Sequence, residues 1–218
     1  TEVLRGICDV AASSGYRVLI VDTHYSVLEE ERMVRTLLAQ SLDGLIITGG
    51  EQTELCRKTI KTAAVPLVQI MDILDDPIDM NVGFSHFQAG YDVAKHLIEE
   101  GYSRIGFIGA QMDIRAQKRL QGFKTALEES GKFWKNFMLN TPDPSSVGLG
   151  VELFKELMSS TNDMLDAVFC ANDDLALGAL FESIRMGIKV PDDMAICGFN
   201  DMEVSRFTTP SLTSVSVN

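Results

Sequence analysis

Short apolar runs that end in a polar turn and hand over to an amphipathic segment recur along almost the whole chain. The clearest is AVFCANDDLALGA, residues 167–179: an apolar run, the abrupt cluster Asn172-Asp173-Asp174, then a small-residue amphipathic stretch. That order is a buried strand, a turn and a helix start. It returns in MAICGFNDMEV, where Asn200-Asp201 closes the strand-like run 194–199. Strands that alternate with helices require crossover connections, and therefore a parallel, doubly wound α/β sheet. Such sheets meet their ligands outside the carboxyl ends of the strands, which is where Asn172, Asp173, Asn200 and Asp201 fall.

The same rhythm predicts a first helix ending near Gly15, a strand over 16–21, and a helix opened by the capping box Ser26-Val27-Leu28-Glu29. A strand over 45–48, a helix over 53–63 and a strand over 67–71 follow. An acidic, Pro-containing loop (72–77) leads to a strand near 79–82 and to a second capping box, Ser85-His86-Phe87-Gln88, whose helix Gly101 ends. The pattern then restarts with a strand over 104–108 and a helix over 114–130, stopped by Gly131. An irregular aromatic stretch (132–146) and a helix over 147–159 precede the strand, turn and helix at 167–179. The strand around Ile196 and an extended run over 212–217 close the chain. Two sets of units joined near 101–104 predict two lobes, residues 1–102 and 103–218, with a crevice between them. A strand–helix rhythm that opens on a helix lacks its first strand, and its last strand lacks a covering helix. The expectation is a piece of a larger fold.

At 218 residues and 45% apolar content there is material for one large domain or two small ones. No run approaches the roughly 18–20 apolar residues of a membrane span. No charged-then-apolar leader opens the chain. The net charge of −12 has the wrong sign for gripping phosphate backbones, so contact with DNA would fall to another segment. Cys8, Cys56, Cys170 and Cys197 form neither a CxxC nor a metal-ligand spacing; reduced, mostly buried thiols and a cytoplasmic location are expected. His24, His86 and His96 are too scattered for a zinc site, and no metal or cofactor is expected. The chain has no GxGxxG and no GxSxG, and Gly49-Gly50 lacks the P-loop lysine. Asp72, Asp75, Asp76 and Asp79 lack the alternation and glycine of a calcium loop. A binding protein, not an enzyme, is expected.

Arg115, Lys118 and Arg119 concentrate positive charge in an otherwise acidic chain, just after the strand-like RIGFIGA. Arg115 and Arg119 are i,i+4 neighbours on one helix face. A planar fork of donors suits a carboxylate or a vicinal diol; a solvated helix face has the same pattern. Asn172 fits two compatible roles, helix cap and ligand contact. Asn200 and Asp201 fit a ligand site or a turn made by their own side chains. Asp72 ends the strand LVQIM and is either a ligand contact or a solvated loop acid. His24 has the setting of a surface-loop histidine.

EVLRGI, DGLIITGG, VGFSHFQAGYDVAKHLIEEGYSRIGFIGA, RLQGFKTALEESG, FCANDDLALGALFESIRMGIKVPDDMAICGFND and TTPSLTSVSVN cover nearly the whole chain. In this order they resemble the effector-binding core of the lactose/galactose-repressor family of bacterial transcription regulators. The resemblance implies a type I periplasmic-binding-protein-like fold, two Rossmann-like parallel-sheet lobes that close on a small ligand. VQIMDILDDPIDMNVGFSH, GAQMDIRAQKRLQGF and the pair His24-Tyr25 are similar to the gluconate-utilisation repressors, which respond to gluconate or a related sugar acid. Arg119 matches the effector-binding arginine of R-x-x-G-[FYW], and Asn172 the sugar-contacting Asn of the AND motif. Asn200 stands where many relatives carry an Asp that holds ligand hydroxyls, so Asp201 is expected to contribute instead. Arg115 matches only the sugar-acid subset, and Leu177 falls on a helix that relatives use to dimerise. The resemblance also implies a homodimer that meets operator DNA through a helix-turn-helix headpiece preceding Thr1, a first strand before this chain, and a tail after Asn218. The function it implies is the sensing core of a regulator, a repressor, in which a sugar or sugar acid controls DNA binding allosterically. A periplasmic sugar-binding protein for transport or chemotaxis would share the fold and the Asn-Asp turns.

Overall fold

Strand–helix alternation produces two parallel sheets in the computed structural model, which describes residues 2–162 and 164–217. Thr1, Asp163 and Asn218 lie outside the described residues. The first sheet holds β1 (Leu45–Thr48), β2 (Leu67–Ile70) and β3 (Met80–Val82) in the order β1-β2-β3, with Leu45 opposite Leu67 and Val68 opposite Met80. The second holds β4 (Ile105–Ala110), β5 (Met138–Thr141), β6 (Ala167–Cys170), β7 (Ala195–Phe199) and β8 (Thr213–Val215) in the order β5-β4-β6-β7-β8. The helices are α1 (Glu2–Ser13), α2 (Val27–Leu38), α3 (Glu54–Ala63), α4 (His86–Glu99), α5 (Ile114–Glu129), α6 (Val147–Thr161) and α7 (Asp173–Arg185).

Every residue of β4, β6 and β7 is buried, as expected of central parallel strands covered on both faces. Phe107, Phe123 and Phe169 meet at ring separations of 5.1–5.9 Å in the larger core. Burying a ring of this size stabilises the fold by about 1.5–3 kcal/mol. A smaller core of Val34, Leu45, Ile47, Cys56, Ile60 and Leu67 supports the first sheet. Both capping boxes begin their helices: Ser26 accepts from the Glu29 amide at 3.3 Å, and Ser85 from the Gln88 amide at 3.1 Å. Cys56, Cys170 and Cys197 are buried free thiols. Among the described residues no helix is long and apolar enough to cross a membrane.

α4 follows the first sheet in sequence yet puts Val93, Ala94 and Leu97 into the core of the second. Its contact with α5 is backbone to backbone. A Cβ at Gly90 would strike the Arg119 carbonyl, and one at Gly122 would strike the Phe87 carbonyl. The two glycines therefore set how closely the helices approach, and with it the position of the basic turn that opens α5.

Three local expectations need revision. Residues 16–21 form no strand: among the described residues no strand lies beside them, and without a ladder Tyr16, Leu19 and Ile20 stay 58%, 63% and 59% exposed. The stretch 132–146 is not wholly irregular. It contains β5, an edge strand whose half-buried MLNT offers neither alternation nor an apolar run to the reader of the sequence. The closing extended run narrows to the three residues of β8.

Gly122→Ala is expected to lower unfolding stability by about 1–3 kcal/mol, the usual cost of overpacking, seen as an earlier urea midpoint. An unchanged midpoint would contradict the backbone contact between α4 and α5.

Candidate functional site

Each half of the site grows from a strand end. Beyond β6 the backbone of Asn172 is extended (φ −156°), and its Oδ1 accepts from the Leu175 amide at 3.0 Å, so it caps α7. The same side chain meets Ser145, with Nδ2 2.8 Å from Oγ. The next residue turns inward. Asp173 is fully buried and accepts from the Met202 amide (2.6 Å), Ser205 Oγ (3.0 Å) and Ser214 Oγ (2.6 Å). Burial pushes its carboxyl above the ordinary range, against the pull of these hydrogen bonds. Placement in the first turn of α7 favours the charged form as well.

That carboxylate holds the turn after β7. Asn200 and Asp201 both have positive φ, +108° and +47°, a conformation that Asn and Asp tolerate better than most residues. A Cβ on Gly198 would strike Asp173 Oδ1, so only glycine lets the carboxylate come this close. Asp201 binds Arg206 Nη2 at 2.6 Å, and that hydrogen bond holds its carboxyl below the ordinary range. The Asp201 amide donates to Ser214 Oγ at 3.0 Å. Asn200 is exposed.

The basic turn follows β4. Asp113 caps α5 through the Ala116 amide (2.8 Å) and binds Arg115 Nη2 at 2.6 Å. Burial works against the charge on Arg115, but Asp113 overcomes it and raises the guanidinium's pKa. Arg115 also lies 5.9 Å from the centre of the Tyr25 ring. Arg119 turns the other way. Its Nη1 donates to the Ala171 carbonyl at 2.5 Å, and its guanidinium lies 4.2 Å from the centre of the Phe199 ring. Burial draws its pKa down to about 10, still charged at neutral pH. Among the described residues no carboxylate pairs with Arg119, and its buried Nε has no hydrogen-bond partner.

The end of the first sheet meets the basic turn. Asp72, just past β2, is 3% exposed and not a solvated loop acid; its Oδ2 binds Lys118 Nζ of α5 at 2.6 Å. His86 Nε2 donates to the Met71 carbonyl at 2.7 Å, which fixes the tautomer and leaves Nδ1 a buried acceptor without a partner among the described residues. Its ring lies 4.4 Å from Phe84 and 6.0 Å from Phe199. Glu51 is exposed, yet partial desolvation raises its carboxyl, with Asp113 adding to the shift.

Of the six residues singled out in the sequence, Asp72, Asn172, Asn200 and Asp201 stand just past strand ends, and Arg115 and Arg119 on the first two turns of α5. Arg115 and Arg119 do not form one fork: the first is held by Asp113 and the second reaches across to Ala171 and Phe199. His24 stands apart, 85% exposed beside Asp22. Sequence reasoning passed over His86, Phe199 and Ser145. His86 was absorbed into a capping box and Phe199 into a strand, and neither pattern reports what lies across the crevice.

Residues 94–218 match the family described as periplasmic binding protein-like domain. Over 215 residues the chain is 45% identical to the HTH-type transcriptional regulator GntR of Pseudomonas aeruginosa, covering 98% of this chain and 62% of the relative. Among solved structures, the transcription regulator GntR from Chromobacterium violaceum superposes with a TM-score of 0.95 at 39% identity, covering 99% of this chain and 79% of that one. A LacI family regulator from Silicibacter pomeroyi gives 0.94 at 32% identity, with 99% and 65% covered. The chain spans under two thirds of the length of the curated GntR regulators it matches, 62% and 64%.

Burial draws the pKa of His86 from 6.5 down to about 4, so folding favours the neutral ring. The stability this contributes is complete above the unfolded pKa and is lost as pH falls from 6.5 through 4. Its size is at most about 3 kcal/mol. In urea titrations across that window, His86→Gln is expected to lose stability less steeply than the parent chain. Identical pH profiles would contradict the assignment.

Proposed function

Because this chain belongs to the LacI family of transcriptional regulators, on a periplasmic-binding-protein-like fold, we propose that it is a regulator's ligand-sensing core and takes a gluconate-like sugar acid between its lobes. The observation that carries this reading is Arg119. Among the described residues this part-buried guanidinium has no carboxylate partner and its Nε is unpaired, so it is poised for an anion from outside the chain. Charge-assisted hydrogen bonds to such a group are among the stronger polar contacts available. With a net charge of −12 the surface as a whole repels anions, so a carboxylate ligand depends on this local cation.

In this reading Arg119 holds the ligand carboxylate, with Arg115 beside it. Asn172, Asn200, Asp201 and Asp72 line the crevice and hold hydroxyls through their remaining polar capacity. Residues 1–102 and 103–218 form the two lobes, the first lending α4 to the core of the second. The ligand acts only through its different affinity for open and closed lobes. That difference would alter the geometry of a cytoplasmic homodimer and the spacing of two operator-reading headpieces, making the whole protein a repressor. No catalytic role is assigned. Transport or chemotaxis is the less favoured reading, since the relatives described above are transcriptional regulators.

Calorimetric titration of the chain with gluconate, phosphorylated gluconate and neutral hexoses tests the proposal. Gluconate is expected to bind and neutral hexoses are not. Arg119→Met is expected to weaken gluconate binding by about 100-fold, the scale of one lost charged hydrogen bond. Selective binding of a neutral hexose would refute the sugar-acid reading.

A further inference from the structure

Of the three basic side chains on the first turns of α5, Lys118 alone binds a group of the first sheet. The partner, Asp72, is held rigidly. Asn81 Nδ2 donates to its carbonyl at 2.9 Å, and Gly83 packs against its backbone so closely that a Cβ there would overlap it. Lys118 is fixed on its side by the backbone contacts of α5 with α4 at Gly90 and Gly122. The ion pair, 2.6 Å long, therefore joins two stiff bodies. Its two ends differ in hydration: the Asp72 side chain is 4% exposed and that of Lys118 36%. If the lysine is removed, the carboxylate must either stay buried without a partner or regain water by separation of the lobes.

We propose that Lys118 and Asp72 form an interlobe clasp that holds the two lobes together before any ligand arrives. Resting on the two-lobe sensor reading, this deepens it: Lys118 is a positioning residue that sets ligand affinity without touching the ligand. Where only a fraction of molecules is closed, apparent affinity falls by that fraction. The clasp keeps the fraction high. Asp72 then serves chiefly as the counter-ion of the clasp, and anion recognition falls to Arg119.

The test uses the full chain with Cys8→Ser and spin labels at Lys58→Cys on α3 and Glu128→Cys on α5, both exposed positions. Pulsed dipolar spectroscopy without ligand is expected to show one narrow distance distribution. Lys118→Met is expected to broaden it toward longer distances and to weaken gluconate binding by about tenfold, within the usual range of coupling between sites. The swap Asp72→Lys with Lys118→Asp is expected to restore the narrow distribution. An unchanged ligand-free distribution in Lys118→Met would overturn the clasp. So would weakened gluconate binding with the distribution unaltered, because Lys118 would then be a ligand contact. The distances are read without ligand, so failure of gluconate to bind would sink the sugar-acid reading and leave the clasp standing or falling separately.

Discussion

The carboxylate of Asp173 is the interaction on which half of the crevice depends. Buried carboxylates are costly unless each lone pair is used, and this one accepts from a backbone amide and a hydroxyl of the turn after β7 and from a hydroxyl of β8. It joins the start of α7 to the turn after β7 and to β8. The left-handed conformations of Asn200 and Asp201, the side-chain-free Gly198 and the placing of Phe199 all follow from that closure. Asn172, one residue before, is thereby presented at the rim while its side chain caps the helix. A cap and a contact are one geometry here.

The other half is organised by charge. Three cations open α5, and two are neutralised within the chain, Arg115 by Asp113 and Lys118 by Asp72. Among the described residues Arg119 is left with a carbonyl, an aromatic face and an unpaired Nε. Charged groups in such surroundings are tolerated when something else completes them, and an anionic ligand would do so. The same charge pattern separates neighbours in sequence: Lys118 pairs with Asp72, whereas Arg119 reaches the Ala171 carbonyl and the Phe199 ring.

Much of this was legible before the fold was seen. The repeated strand–turn–helix order carried the parallel sheets, because short apolar runs closed by Asn-Asp leave few alternatives. The R-x-x-G-F and AND motifs drew attention to Arg119 and Asn172, which the fold places on the first turns of α5 and at the cap of α7. What escaped was whatever depends on partners distant in sequence. Residues 16–21 look like a strand, but a strand exists only where a neighbour completes its hydrogen bonds. β5 is a strand only because β4 lies beside it, as its composition gives no sign. Asp72 sits among acids that suggest a wet loop, and nothing local tells that Lys118, 46 residues later, will cover it. Periodicity reports how each element forms; it is silent on which side chains meet across a crevice.

We propose above that the part-buried Arg119 receives the carboxylate of a small sugar acid. A crystal structure of the chain grown with gluconate tests it most directly. The ligand carboxylate is expected within hydrogen-bond distance of Arg119, with the Asp72–Lys118 pair intact beside it. A gluconate whose carboxylate points to solvent, or that pairs with Lys118 in place of Asp72, would contradict the proposal.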